Sequence, residues 1–447
     1  MNSNTEFVTW FRSVAAYINL FRGKTFVFGF GGEMIANEKF VSFIHDINLL
    51  ASLGVRLILV YDAQPQIQHR LNENHPEKSS ALESGITDAP SLNCVKEAIG
   101  RVHFEIEALL SMGLPNSPMA NADIHVASGN FITACPFGII NGVDFMLTGK
   151  VRKINTRAIQ TCLDQGNVVL IPPLGYSPTG EIFNLTMDNV ATEIAIALNA
   201  EKLIFLLDTF NAINSTTENE NRLPRELTVA QTKILLQKIK HKSTCLSDEI
   251  QQKLACAIKA CEGKVTRTHF ISRHMDGAIL QELFTHYGIG CMVSREPLET
   301  LRNASIEDVG TILQLIEPLE AEGILVRRNR ELLEIEIDRF IVFEHDGITI
   351  GCAALYPFSQ DRMCELACLA VHPSYRNQGH GDRLLKTIEE RAIAQGSQKL
   401  FVLTTHATHW FIEHGFSEAS LSDLPKLKQD LYNYKRRSKV FIKTLTS

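Results

Sequence analysis

A series of short, almost uninterrupted apolar runs constrains this chain more than any other feature: "KTFVFGF", "VRLILVY", "NVVLIPP", "KLIFLLD" and "RTHFIS". Each has the length of one strand, and helix-length segments lie between them. A strand covered on one face alternates apolar and polar residues, whereas a strand covered on both faces does not. The runs predict an α/β unit over residues 24–293, an α/β/α sandwich with a mainly parallel sheet. "EKFVSFIHDINLLASLG" reads as one covering helix, with Phe40, Phe43, Ile44 and Ile47 on one face and Gly54 as its stop. Residues 1–23 carry Phe7, Phe11, Val14, Ile18 and Phe21 at helical spacing. That amphipathic helix packs either on its own domain or on a neighbouring subunit.

At 447 residues the chain is too long for one core. The polar stretch around Pro297, residues 294–300, reads as a linker. Residues 301–447 then follow a different grammar: two helical segments, a hairpin turning at Asp346-Gly347, a strand, a glycine turn, a helix, another strand and a short helix. This is an α+β domain around an antiparallel-rich sheet. A net charge of −6 and a pI near 6.2 argue against nucleic acid or an anionic membrane as the main partner. No apolar run approaches the roughly 18 residues that span a bilayer, and "MNSNTEFV" lacks the features of a signal peptide. Ten cysteines occur without a CxxC pair, and Cys364 and Cys368 of "CELAC" read as buried thiols on a strand. His406 and His409 have no carboxylate or cysteine beside them, so no metal is expected, and the cysteine usage suits a reducing cytoplasm.

"CELACLAVHPSYRNQGHGDRLLKTIEERA" carries the most chemistry. A strand ends at His372-Pro373, a glycine turn follows, and a helix begins at once. The first amides of a helix have no intrahelical partner, and the helix dipole adds partial positive charge. Gly379 and Gly381 allow close backbone approach, and Arg376 adds a cation at the rim. That arrangement suits a pyrophosphate. "RNQGHG" resembles the Arg/Gln-x-x-Gly-x-Gly/Ala signature of GNAT acetyltransferases. The resemblance implies acetyl-CoA as co-substrate, its pyrophosphate held near Asn377, Gly379 and Gly381. The backbone of Leu369, Ala370 and Val371 would pair with the pantetheine arm and polarise the thioester carbonyl. Where many GNAT enzymes have a tyrosine that protonates the leaving thiolate, "WFIEHGF" has Phe411. Thr404 or a water would serve instead, or the thiolate leaves unprotonated.

Over nearly its whole length the chain resembles the bacterial two-domain N-acetylglutamate synthases, which fuse an amino-acid-kinase-like domain to a GNAT domain. "EGILVRRNRELLE", "LTTHATHWFIEHGF", "LYNYKRRSKVF", "FGFGGEMI" and "FNLTMDNVATEIA" carry the likeness, in the family's order. It implies transfer of acetyl from acetyl-CoA to L-glutamate in arginine biosynthesis, inhibition by L-arginine, and a homo-oligomer, a ring of six. Leu325, Arg327, Arg436 and Ser438 match the family's glutamate-binding positions, with Arg328 and Arg437 near-equal by spacing. Arginine suits carboxylates because its fork pairs with them bidentately. Glu365 matches the family's general base. In "THFISRHMDGAILQELFTHYGIG", Glu282 would take the guanidinium of arginine near Gly288 and Gly290, with His269 and Tyr17 closing the site. Rival readings are another amine acceptor, or an effector sensor without turnover.

True amino-acid kinases carry a lysine in the first loop and an aspartate in an Asn-Ala-Asp segment. Here Gly29 and Thr186 stand at those places, and "VYDAQPQI" has Asp62 and Gln64 where the family more often has Gly and Arg. Phosphoryl transfer depends on positioned charge, so kinase activity is expected to be absent.

Overall fold

The computed structural model describes residues 3–75, 85–208, 212–213, 223–240, 246–285, 288–434 and 436–445. They form two compact units, Met1–Glu296 and Pro297–Ser447.

The first unit is built on eight strands. From edge to edge they are Glu226–Thr228, Cys291–Ser294, Arg267–Ser272, Lys202–Leu207, Thr25–Phe30, Arg56–Tyr61, Val168–Ile171 and Val126–Ala127. All neighbours run parallel except Arg267–Ser272 and Cys291–Ser294. The continuous apolar runs have a simple cause. Phe26, Phe28 and Phe30 feed a core on one face with Phe43, Ile47 and Val102. Val27, Ile58 and Val60 feed a core on the other face with Val190, Ile194 and Leu254. Both parities are buried, so neither can be polar. Ile182–Asn184, Leu174–Tyr176, Ile132–Pro136 and Gly149–Ile154 form a separate four-stranded sheet.

The N-terminal helix, Ser3–Phe21, divides along its length. Val14 and Phe21 are buried, and the Phe21 ring meets Phe26 at 5.2 Å and Phe284 at 5.8 Å. Phe7 and Phe11, expected on the same face, are 60% and 55% exposed, and Trp10 beside them is 52% exposed. One half of the helix packs on its own unit, and the other presents stacked aromatics, Phe7 on Phe11 at 5.9 Å.

The second unit holds seven strands in the order Glu299–Asn303, Phe340–His345, Ile348–Phe358, Met363–Val371, Lys399–Thr404, Lys439–Thr444 and Ser417–Ala419. Only Met363–Val371 and Lys399–Thr404 run parallel. The first strand takes in residues 299 and 300 of the stretch read as linker. The hairpin turns on Asp346 (φ 53°) and Gly347 (φ 74°), the paired positive φ that Asp-Gly tolerates. "RELLEIEIDRF" is helical only over Arg330–Glu336 before a 3-10 turn, Ile337–Arg339, delivers the chain to its strand.

Candidate active site

The one parallel pair of the second sheet does not stay paired. It runs in register from Met363↔Lys399 to Glu365↔Phe401, and there the pairing ends. Beyond that point one strand bulges on its other side, where the register shifts opposite Cys352 and Ala354 and Cys368 takes φ 51°. Positive φ in a non-glycine residue within a strand marks a bulge that bends the strand away. The two strands splay into a cleft of about 570 Å³, lined by Leu366, Leu369 and Val371 on one side and Val402, Leu403 and Thr404 on the other.

 Leu369 and Cys368 carry the backbone of the bulged wall, and Leu325 closes one end. Ala370 pairs with Cys352 and is buried in the core, so of the three residues expected along the coenzyme it alone does not line the cleft.

The glycine turn closes the other end. Arg376, Asn377, Gly379 and Gly381 all line the cleft. Asn377 (φ 63°) and Gly379 (φ 80°) are left-handed, and the helix His380–Ala394 starts on Gly379 with no side-chain cap. Its first amides are thus left for a ligand. Arg376 donates from Nε to the Val371 carbonyl at 3.1 Å, tying the turn to the strand end. Trp410 also lines the cleft. Its ring lies 4.1 Å from that of His414, which is 3.0 Å from Asp382 in the first turn of the helix. Phe411 is buried against Phe416, ring centroids 5.3 Å apart, and has no polar atom to offer. Thr404 does: its Oγ accepts the amides of His406 (3.3 Å) and Ala407 (3.2 Å), which leaves its own proton to donate.

Past the splay point, charges gather. Glu365 is 8% exposed and pairs with Lys428, Nζ to Oε2 2.7 Å. Arg436 donates to the carbonyl of Ile324, a cleft residue, and its buried Nε has no partner among the described residues. Burial, and after it the charge of nearby Arg328, pull the Arg436 pKa below its usual value, with Glu365 acting the other way. Of the two neighbouring arginines, Arg327 is exposed, while Arg328 is half-buried with its guanidinium 5.9 Å from the Tyr356 ring. Of the two candidates that the sequence leaves near-equal, Arg328 is thus the one whose side chain is sheltered. Ser438 is buried, and its carbonyl accepts from Tyr432 at 2.7 Å. Neither Lys428 nor Trp410 stands out in the sequence. "THWFIEHGF" contained Trp410, but Lys428 meets Glu365 only through the fold.

In the first unit the residues expected around an effector do gather, in a buried chain. Lys202 Nζ lies 3.2 Å from His269 Nε2, and His269 Nδ1 lies 2.7 Å from Glu282 Oε1. Lysine only donates, so Nε2 accepts and the Nδ1 proton goes to Glu282. Glu282 Oε2 accepts the amides of Ile289 and Gly290, both at 2.7 Å. A Cβ on Gly288 would stand 2.3 Å from that same oxygen. Burial, reinforced by Lys202, depresses the His269 pKa to about 4. Burial opposes ionisation of Glu282, but the bonds from His269, Gly290 and Ile289 outweigh it and lower its pKa. Tyr17 is half-buried beside Phe21, over whose ring Lys202 Nζ sits at 5.2 Å.

A second cavity, of about 600 Å³, lies in the first unit, with Gly31, Asp62, Gln64, Thr186 and Asp188 among its walls. Asp62 and Gln64 belong here and not to the cluster around Glu282. Burial raises the Asp62 pKa to about 6, and burial likewise raises that of Asp188.

A splayed parallel pair closed by a glycine turn and a helix N-terminus defines the second unit as an acetyltransferase of the GNAT class. Residues 336–418 match the Acetyltransferase (GNAT) domain, and residues 24–272 match the Amino acid kinase family. An amino-acid acetyltransferase of Ectopseudomonas mendocina is 47% identical over 98% of this chain and 100% of its own. One from Ralstonia nicotianae is 46% identical over 98% and 96%. The N-acetylglutamate synthase of Neisseria gonorrhoeae complexed with coenzyme A and L-arginine is 34% identical, with a TM-score of 0.83 over 99% of this chain and 100% of that one. Its complex with coenzyme A and N-acetyl-glutamate gives a TM-score of 0.58. The chain belongs to the amino-acid acetyltransferases, in the two-domain N-acetylglutamate synthase family.

Proposed function

We propose that this chain transfers the acetyl group of acetyl-CoA to the α-amino group of L-glutamate, yielding N-acetyl-L-glutamate and CoA, and that L-arginine inhibits it. The observation that carries this reading is the meeting of the splayed cleft with a charge cluster of Arg328, Arg436, Lys428 and Glu365. A cleft of that form takes an extended thioester, and the arginines suit an acceptor with two carboxylates.

Acetyl-CoA would lie with its pyrophosphate on the turn amides near Asn377, Gly379 and Gly381 and its pantetheine along Leu369 to Val371. A free α-amino group has a pKa of about 8, so most of the acceptor arrives as ammonium. Glu365 takes that proton. The amine nitrogen then attacks the thioester carbon, and backbone amides of the bulged strand stabilise the oxygen as it gains negative charge. The C–S bond breaks, and the CoA thiolate takes the Thr404 hydroxyl proton, replaced in turn by the proton the amine still carries. The arginine site is the cluster of His269, Glu282, Gly288 and Gly290, with Tyr17 at its edge. Glu282 Oε1 keeps a lone pair for a guanidinium there. The exposed Phe7, Trp10 and Phe11 supply a surface for a second copy of the chain, in keeping with a homo-oligomer.

Thiol release from acetyl-CoA tests the reading, measured with L-glutamate, with L-aspartate and with no acceptor. Release with glutamate alone is expected. Release with another amine but not glutamate would replace the acceptor, and no release at all would overturn the enzyme reading.

A further inference from the structure

His380 stands between the two glycines of the turn. Gly379 and Gly381 line the cleft, but the His380 side chain turns the other way and is 5% exposed. Its ring lies 4.9 Å from Phe343 and 6.3 Å from Tyr375. Neither ring nitrogen has a hydrogen-bond partner among the described residues. Leaving a buried polar group unpaired is costly, so an apolar side chain would fill this space better.

The surroundings make the ring a poor host for a proton. Glu299, on the strand Glu299–Asn303, is 3.8 Å from Nδ1, at ion-pair range but too far for a hydrogen bond. That carboxylate is already engaged by Arg383 from the same helix as His380, and His345 lies 3.8 Å from it. Burial opposes ionisation of Glu299, yet the neighbouring His345 and Arg383 side chains outweigh it and hold its pKa at about 2. The Arg383 guanidinium also covers the Phe343 ring at 4.7 Å. Among the described residues, Glu299, His345, Arg383 and Tyr375 are thus the titratable or charged groups around the ring. Burial first, with Arg383 and His345 adding to it against Glu299, lowers the His380 pKa.

We propose that His380 is a positioning residue for the coenzyme: its neutral ring braces the turn whose backbone holds the pyrophosphate, and a proton on that ring loosens the turn and weakens coenzyme binding. The inference rests on the reading that CoA occupies this cleft. An imidazolium here would have to displace Arg383 from Glu299 or swing out towards water. The residue is hinged between two glycines, so either movement carries the Gly379 and Gly381 amides with it. Reciprocally, coenzyme that holds the turn closed disfavours the proton.

Calorimetry of CoA binding to the full chain tests this, from about pH 8 to about pH 5.5, across the ordinary imidazole range. Wild type and His380→Leu are compared, which cancels the titration of the ligand's own phosphates. Wild-type affinity is expected to fall more than that of His380→Leu towards the acid end, with the difference still growing at about pH 5.5 and staying below about tenfold, because the His380 pKa lies below the ordinary imidazole value. Parallel curves would overturn the inference. Absence of CoA binding by the wild type at every pH would overturn the cleft assignment as well. Should His380→Leu fail to fold, His380→Gln takes its place, with dephospho-CoA, which lacks the 3′-phosphate, as probe. Wild type should then release more protons on binding near the acid end than His380→Gln, and equal release would sink the proposal.

Discussion

Lys428 Nζ and Glu365 Oε2 stand 2.7 Å apart, joining a short helix, Lys426–Asp430, to the strand at the point where the sheet splays. A buried carboxylate stripped of its ion-pair partner is costly, so the lysine fixes where the carboxylate points. Glu365→Gln should lower kcat by roughly a hundredfold or more, the usual worth of a positioned base, while the acetyl-CoA KM stays nearly unchanged. Lys428→Met should lower kcat by a smaller factor. Steady-state rates at saturating acetyl-CoA decide this: full activity in Glu365→Gln would exclude it as the base.

Arg328 and Arg327 make a paired test. Arg328 is half-buried near Tyr356, and its charge is felt by Arg436, whereas Arg327 is exposed. Arg328→Ala should raise the glutamate KM by about tenfold or more, since a hydrogen bond to a charged group contributes about 1.5–3 kcal/mol. Arg327→Ala should leave it within about twofold, as expected of a solvated charge. The reverse order would restore Arg327 to the acceptor site.

The Lys202–His269–Glu282 chain predicts a stability profile. His269 titrates near 4 in the folded protein and near 6.5 when unfolded. The unfolded state therefore binds the proton more tightly, and the folded state loses stability as pH falls from about 6.5 towards 4, by on the order of 3 kcal/mol in all. Below that, Glu282, whose folded pKa is depressed, adds a further loss as it protonates. Urea midpoints across this range should decline in wild type and decline less in His269→Gln. Equal slopes would show that His269 is not held neutral. The same chain bears on inhibition: Glu282→Gln should relieve inhibition by arginine while leaving basal turnover intact. Unrelieved inhibition would place arginine elsewhere.

Much of this architecture was legible because it is written locally. The strand runs follow from two-sided burial, and Phe26, Val27 and Phe28 divide between two cores as their continuity required. The turn at Asn377 to Gly381 was readable because glycine, a helix start and a strand end are adjacent in the chain. The splay of the parallel pair was not readable. It depends on a bulge at Cys368, a residue with no local preference for positive φ, and on where pairing with Lys399–Phe401 stops. Lys428 was hidden for a similar reason, since its contact is made by packing and not by spacing. Adjacent arginines do not reveal their own register: spacing leaves Arg327 and Arg328 near-equal, and only the fold shows Arg327 exposed and Arg328 half-buried.

The last prediction concerns the cavity of the first unit. Gly29 stands where a kinase would carry its lysine, and a Cβ there would come within 2.8 Å of Met187 Sδ and 2.9 Å of Phe205. The space for a side chain has been filled by the core. Glu33, Asp62, Asp188, Asp208 and Glu249 line the cavity, against Lys253 and Arg273. Lys253 is paired with Glu249 at 3.0 Å and Asp188 at 3.5 Å, and Arg273 with Asp208 at 2.8 Å and Glu33 at 3.5 Å. A triphosphate would enter a cavity whose cations are already engaged and whose remaining charge is negative, the reverse of what phosphoryl transfer needs. ADP release from ATP with N-acetylglutamate should therefore stay at background. Gly29→Lys should not restore it, and should destabilise the unit by about 1–3 kcal/mol through overpacking, read as a lowered urea midpoint. Turnover at the rate of an ordinary kinase, in the wild type or in Gly29→Lys, would show that the cavity still handles phosphate.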